Sequence, residues 1–93
     1  MIRSFGDRKT QQFFKGRRIR EFQGFAGQAT RRLTILDSAD ALQDLSALRS
    51  NRLEVLAGER AGQHSIRINK QWRICFCWKD DGPHDVEIVD YHR

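Results

Sequence analysis

The chain is poor in the residues that cross-link, anchor or cofactor-load a fold. Its 93 residues include one proline, one methionine, one tyrosine and two cysteines. Cys75 and Cys77 stand two apart in an apolar run, so on a strand both point to one face with their α-carbons about 6.6 Å apart, at the limit of disulfide geometry. They also lack the C-x-x-C spacing of a redox pair or zinc site, and read as reduced packing residues. His64, His84 and His92 are scattered without metal-ligand spacing, so neither a metal nor a cofactor is expected. The glycines of Gly58 to Gly62 lack the strand-turn-helix setting of a phosphate loop. No apolar run approaches the roughly 20 residues that cross a bilayer, and Met1 to Phe5 lacks the apolar core of a signal peptide. A cytoplasmic protein with no membrane role is expected. At this length it should form one domain, residues 1–93, with a thin core that buries little more than roughly 60% of the unfolded surface.

Acidic residues are also scarce, and unevenly so. Lys and Arg number 17 against 12 Asp and Glu, for a net charge of +5. Residues 1–32 carry nine basic and two acidic side chains, 33–59 two and five, 60–79 five and none, and 80–93 one and five. Basic surfaces with acidic borders suit a polyanion such as nucleic acid, although a solvated surface of uneven charge would show the same totals.

The hydrophobic pattern changes period midway. After a possible edge strand in Ile2 to Phe5, Asp7 is placed to cap a helix ending near Phe14, with Gly16 as its stop. The basic run Lys15 to Glu21 links it to a longer helix, Phe22 to Asp37, whose Phe22, Ala29, Leu33 and Leu36 recur on one face. Gly24 and Gly27 weaken that helix, each by roughly 1 kcal/mol relative to Ala. A third helix is expected from Ser38 or Ala39 to Leu48, with Leu42 and Leu45 inward and Asp40 near its positive end. Short alternating runs follow at 53–56, 64–68, 72–78 and 86–91, separated by glycines and polar residues. Helices followed by strands indicate an α+β fold, with the N-terminal helices packed on one face of a small antiparallel sheet.

Trp72, Ile74, Phe76 and Trp78 share the face that belongs beneath the helices, which leaves Arg73, Cys75 and Cys77 on the open face. A hairpin centred on Gly82 would pair Trp78 with Val86, Phe76 with Ile88, Cys75 with Val89 and Arg73 with Tyr91. An arginine, a phenol and, next in sequence, the imidazole of His92 would then meet on an uncovered basic sheet. Metal-free RNA cleavage needs such groups. His92 can take or give a proton near neutral pH, Arg73 has a fork matched to phosphate oxygens, and Tyr91 can position a hydroxyl, stack on a base or donate a proton. Asp90 could orient His92, but alternation places it on the core side. Packing or surface decoration is the plainer reading of a terminal Tyr-His pair, and His64 reads as a strand surface residue.

In the segments MIRSF, NRLEVLAGERAGQHSIRIN, QWRICFCW and VEIVDYH the chain resembles the HigB-type toxins of the RelE/ParE superfamily, the toxin halves of bacterial type II toxin–antitoxin pairs. The resemblance implies helices against a curved antiparallel sheet, and an endonuclease that enters the ribosomal decoding site and cuts mRNA there. It implies a partner antitoxin of HigA-like type with a helix-turn-helix domain, which represses the shared operon, so that operator DNA is met only through the antitoxin. By position, Asp90, Tyr91 and His92 match the family's C-terminal catalytic group and Arg73 the arginine of its W-R strand. Arg60 and Arg67, with Lys70, would bind RNA phosphates. Some members carry a histidine where this chain has Glu54 and a lysine where it has Ala57, so Glu54 becomes the candidate general base. Two other functions fit the same outline: inhibition of DNA gyrase, as in ParE-type relatives that lack the terminal Tyr-His, and RNA binding without chemistry.

Overall fold

Asp7 ends the extended N-terminal chain and starts the first helix, its Oδ1 accepting a hydrogen bond from the Thr10 amide at 2.7 Å. The structure is a computed structural model that describes residues 1–91. Helix α1 spans Arg8–Phe14, and Gly16 at φ +96° turns the chain away from it. The expected long helix is divided in two. A 3-10 turn covers Arg20–Phe25, and α2 runs Ala26–Ser38 after Phe25 breaks phase at φ −138°, ψ 24°. Gly24 and Gly27 bracket that break, where two weak helix formers leave little to hold a continuous α-turn. Ala29, Leu33 and Leu36 form the buried face of α2 as their spacing predicts.

Helix α3, Leu42–Ala47, is shorter than expected, with Ala41 as its N-cap and Asp44 in its first turn. Oδ2 of Asp44 accepts from the amides of Asp40 and Ala41 at 2.9 and 3.1 Å, satisfying donors that the first turn leaves unpaired. Four antiparallel strands follow, in the spatial order β1 (Glu54–Val55), β2 (His64–Arg67), β3 (Trp72–Lys79) and β4 (Gly82–Asp90). Trp72, Ile74, Phe76 and Trp78 do face the helices, joining Ile66, Val86 and Ile88 against Phe22, Phe25, Leu33, Leu36 and Leu45. His64 also lies on this face, half-buried and stacked on Phe76, and is not the surface residue expected.

The last hairpin departs from the expected register. Its turn is Asp80-Asp81, so Lys79 pairs with Gly82 and β4 begins four residues earlier than the run at Val86 suggested. Further along, Cys77 pairs with His84 but Cys75 with Glu87, which sets Asp85 and Val86 together opposite Phe76. Asp85 takes φ +54° in this bulge. Arg73 therefore faces Val89 rather than Tyr91, and Ile74 faces Ile88. Beyond the bulge this is a slip of two positions, which leaves Trp72 to Cys75 and Glu87 to Asp90 on their predicted faces because side chains alternate with period two. The N-terminal segment covers the free edge of β4, with the amides of Arg3 and Gly6 donating to the carbonyls of Pro83 and Val86 at 2.9 and 2.8 Å. Gly82 is required there. Its φ is +124°, and a Cβ would meet the Met1 carbonyl oxygen at 2.8 Å.

Candidate functional site

Opposite the helices, the strand register brings Glu54, Ser65, Arg67, Arg73, Cys75 and Glu87 onto one face. Its centre is not open as expected: Cys75 is fully buried and Arg73 is 7% exposed. The reason lies in the segments before β1 and β2, which fold back over the strands. Nε of Arg73 donates to Oγ of Ser65 at 2.7 Å, and Nη2 donates to the Arg52 carbonyl at 2.6 Å and to the Ser65 carbonyl at 3.3 Å. Its Nη1 lies 3.7 Å from Oε1 of Glu54. The fork is thus directed at oxygens of the protein.

Arg60, the last residue of the 3-10 turn Gly58–Arg60, donates from Nη1 to Glu87 and to Gln63, both at 3.0 Å. Burial works against the charge on Arg60, but the hydrogen bond to Glu87 and the fields of Cys75, Glu87 and Tyr91 raise its pKa above the usual value. Burial pushes the Cys75 thiol up, against the opposing pull of Arg60, which keeps it protonated and inert.

Beside Arg73 the sheet face opens into a cleft of about 430 Å³ lined by Arg52, Glu54, Arg67, Asn69, Lys70, Gln71, Arg73 and Tyr91. Five of the residues expected from sequence meet there: Glu54, Arg67, Lys70, Arg73 and Tyr91. Asp90 stands exposed at the strand end, accepting from Nε2 of Gln71 at 3.0 Å, on the Ile88 side of the strand as alternation requires. Arg60 is held by Glu87 outside the cleft lining. His92 lies outside the described residues.

Sequence reasoning missed Arg52, Asn69 and Gln71. The Asn69-Lys70 pair was legible as a turn, and Oδ1 of Asn69 builds it by accepting from the amides of Gln71 and Trp72, both at 2.8 Å. That turn fixes Arg67 through its Nε, which donates to the Asn69 carbonyl at 3.1 Å, and carries Gln71, whose carbonyl accepts from the Tyr91 amide at 2.7 Å. Nothing local marks Arg52. Its position follows from Asn51, which is fully buried, donates to the Leu45 carbonyl at 3.1 Å and accepts from Arg32 of α2 at 2.8 Å.

Four cations, Arg52, Arg67, Lys70 and Arg73, stand against the single carboxylate of Glu54 in this lining, which makes the cleft attractive to phosphate. Glu54 can accept a proton, and Tyr91 can donate one or stack on a base. A shallower hollow of about 280 Å³ shares Arg67, Asn69 and Lys70 with the cleft and continues to Gln28, Arg32 and Ser50, so the basic surface extends beyond the cleft. Among the described residues, no helix is long and apolar enough to cross a membrane.

A family model described as the RelE-like toxin HigB of type II toxin–antitoxin systems matches residues 3–92. Toxin HigB-1 of Vibrio cholerae serotype O1 is 40% identical over 82 residues, which span 86% of each chain. Among solved structures, the YoeB–YefM complex from Staphylococcus aureus contains a chain that superposes with a TM-score of 0.59 at 16% identity, covering 100% of this chain and 99% of that one. A heterotetrameric YoeB–YefM toxin–antitoxin complex from the same organism matches with the same score and coverage. At that identity the structural likeness establishes the fold alone.

Proposed function

Because the chain belongs to the HigB-like toxins, RelE-like members of type II toxin–antitoxin systems, we propose that it is a ribosome-dependent endoribonuclease that cuts mRNA in the decoding site and so stops translation. The observation that carries this reading is the meeting of Glu54 and Tyr91 with four cations in one cleft on the sheet face away from the helices. The chemistry needs no metal. Glu54 removes the proton of the ribose 2′-hydroxyl, whose oxygen attacks the adjacent phosphorus. The bond from phosphorus to the 5′-oxygen breaks, and His92, aided by Tyr91, protonates the departing oxygen. Arg67 and Lys70 grip the phosphates, and Arg73 adds its charge from the wall while fixing the groups around it. Asp90, through Gln71, steadies the C-terminal end of β4 next to Tyr91 and His92. Arg60, tied to Glu87, holds the loop before β2 and brings a further positive field toward Tyr91 for the RNA.

The partner that restrains this activity is a HigA-like helix-turn-helix antitoxin, and the toxin meets operator DNA only through it. The protein acts in the cytoplasm. A ribosome-bound mRNA with a single 2′-deoxynucleotide 5′ to the cut site tests the reading. Cleavage should stop at that position and persist in the all-ribose message, because the nucleophile is the missing hydroxyl. Cutting that ignores the deoxynucleotide would refute the mechanism, and growth arrest with intact mRNA and impaired gyrase would move the protein to the ParE-type inhibitors.

A further inference from the structure

We propose that Arg52 is a phosphate-binding residue of the cleft, and that Arg73 acts through it as a positioning residue rather than as the clamp. The proposal rests on the nuclease reading for its substrate, a single-stranded RNA, but on the geometry for its assignment. Arg52 takes φ +44°, in the left-handed region that a long side chain seldom occupies. Two neighbours hold it there. Asn51 is locked from below by Leu45 and Arg32, and the Arg52 carbonyl is gripped at 2.6 Å by Nη2 of Arg73. Strain that persists because its surroundings over-determine it is a mark of a functional position.

The consequence falls on the side chain. Arg52 is exposed and lines the cleft two residues before Glu54. Among the described residues, its guanidinium has neither a hydrogen bond nor an ion pair within the chain. The other arginines of the cleft are more committed. Arg73 directs Nε and Nη2 to oxygens of Ser65 and Arg52, and Arg67 directs Nε to the Asn69 carbonyl. A planar fork in the lining that also holds the candidate base is suited to two oxygens of the phosphate whose neighbouring hydroxyl Glu54 would deprotonate.

The test uses the full chain and two assays. The first is salt-dependent binding of a short single-stranded RNA made non-cleavable by 2′-O-methyl groups, and the second is cleavage of ribosome-bound mRNA. Arg52→Gly removes the cation while suiting the left-handed backbone, so folding is kept. It should weaken binding about tenfold at low salt and lower the slope of log K against log salt by about 0.7, the value for one phosphate contact on a single strand. Arg52→Lys should restore the slope but not the full cleavage rate, because it lacks the fork. With Arg73→Lys as background, adding Arg52→Gly should weaken binding by much less than tenfold. An unchanged salt slope in Arg52→Gly overturns the binding role, and additive losses in the double variant overturn the positioning role. If the wild-type protein binds the RNA with a slope that Arg52→Gly lowers yet cuts no ribosome-bound mRNA, the nuclease reading fails and the assignment of Arg52 stands.

Discussion

Glu54→Gln should slow cleavage of ribosome-bound mRNA by about 100- to 10,000-fold, the usual worth of a general base, while RNA binding is kept or tightened. The two effects have opposite signs because one residue does two things. Its carboxylate takes the proton, yet it is also the single negative charge among the four cations of the cleft lining, so removing it makes the cleft more attractive to phosphate. Stability should barely change. Glu54 is 34% exposed and its closest contact to Arg73 is 3.7 Å, the geometry of a weak, solvent-screened pair worth less than about 1 kcal/mol. Single-turnover cleavage and equilibrium binding measured on the same preparation separate the roles. A variant that cuts at the wild-type rate would leave Glu54 as no more than a partner for Arg73.

Arg73→Ala should be costly in a different way, lowering stability by about 3 kcal/mol, or a fall of roughly 12 to 24 °C in melting temperature for a domain of this size. The side chain is 9% exposed and ties Ser65 of β2 and the backbone of Arg52 to the centre of β3. Truncation leaves the Ser65 hydroxyl and two carbonyls without that donor in a place water reaches poorly. Arg67→Ala is the matched control, since it removes a cation from the same cleft at a less buried position and should stay within about 0.5 kcal/mol. Urea unfolding of the two variants decides the matter. Equal midpoints would mean that Arg73 is an ordinary surface cation.

That contrast also explains what could be read from the sequence. Local signals were sufficient for the Asp7 cap, the Leu33 and Leu36 face of α2, and the alternation that turns Trp72, Ile74 and Phe76 toward the helices. Each depends on residues within a turn or two of one another. The register of the last hairpin depends on a bulge at Asp85, a non-glycine residue at positive φ that no composition rule marks, and so Arg73 could not be paired correctly with Val89. The burial of Arg73 and the tethering of Arg60 depend on Arg52 and Glu87, which lie 21 and 27 residues away along the chain. Glu54, Arg67, Lys70 and Tyr91 are legible through the family resemblance, with the open sheet face as a second ground for Tyr91, and the structure brings all four to one cleft lining. Arg52 has no such signal, being placed by a buried asparagine and a distant guanidinium.

The most direct measurement is the chemistry of the cut ends. RNA recovered from ribosomes after cleavage should carry a 2′,3′-cyclic phosphate on the upstream fragment and a 5′-hydroxyl on the downstream one, as attack by the neighbouring hydroxyl demands. A 5′-phosphate on the downstream fragment would mean that water was the nucleophile, and would contradict the roles given to Glu54, Tyr91 and His92 together.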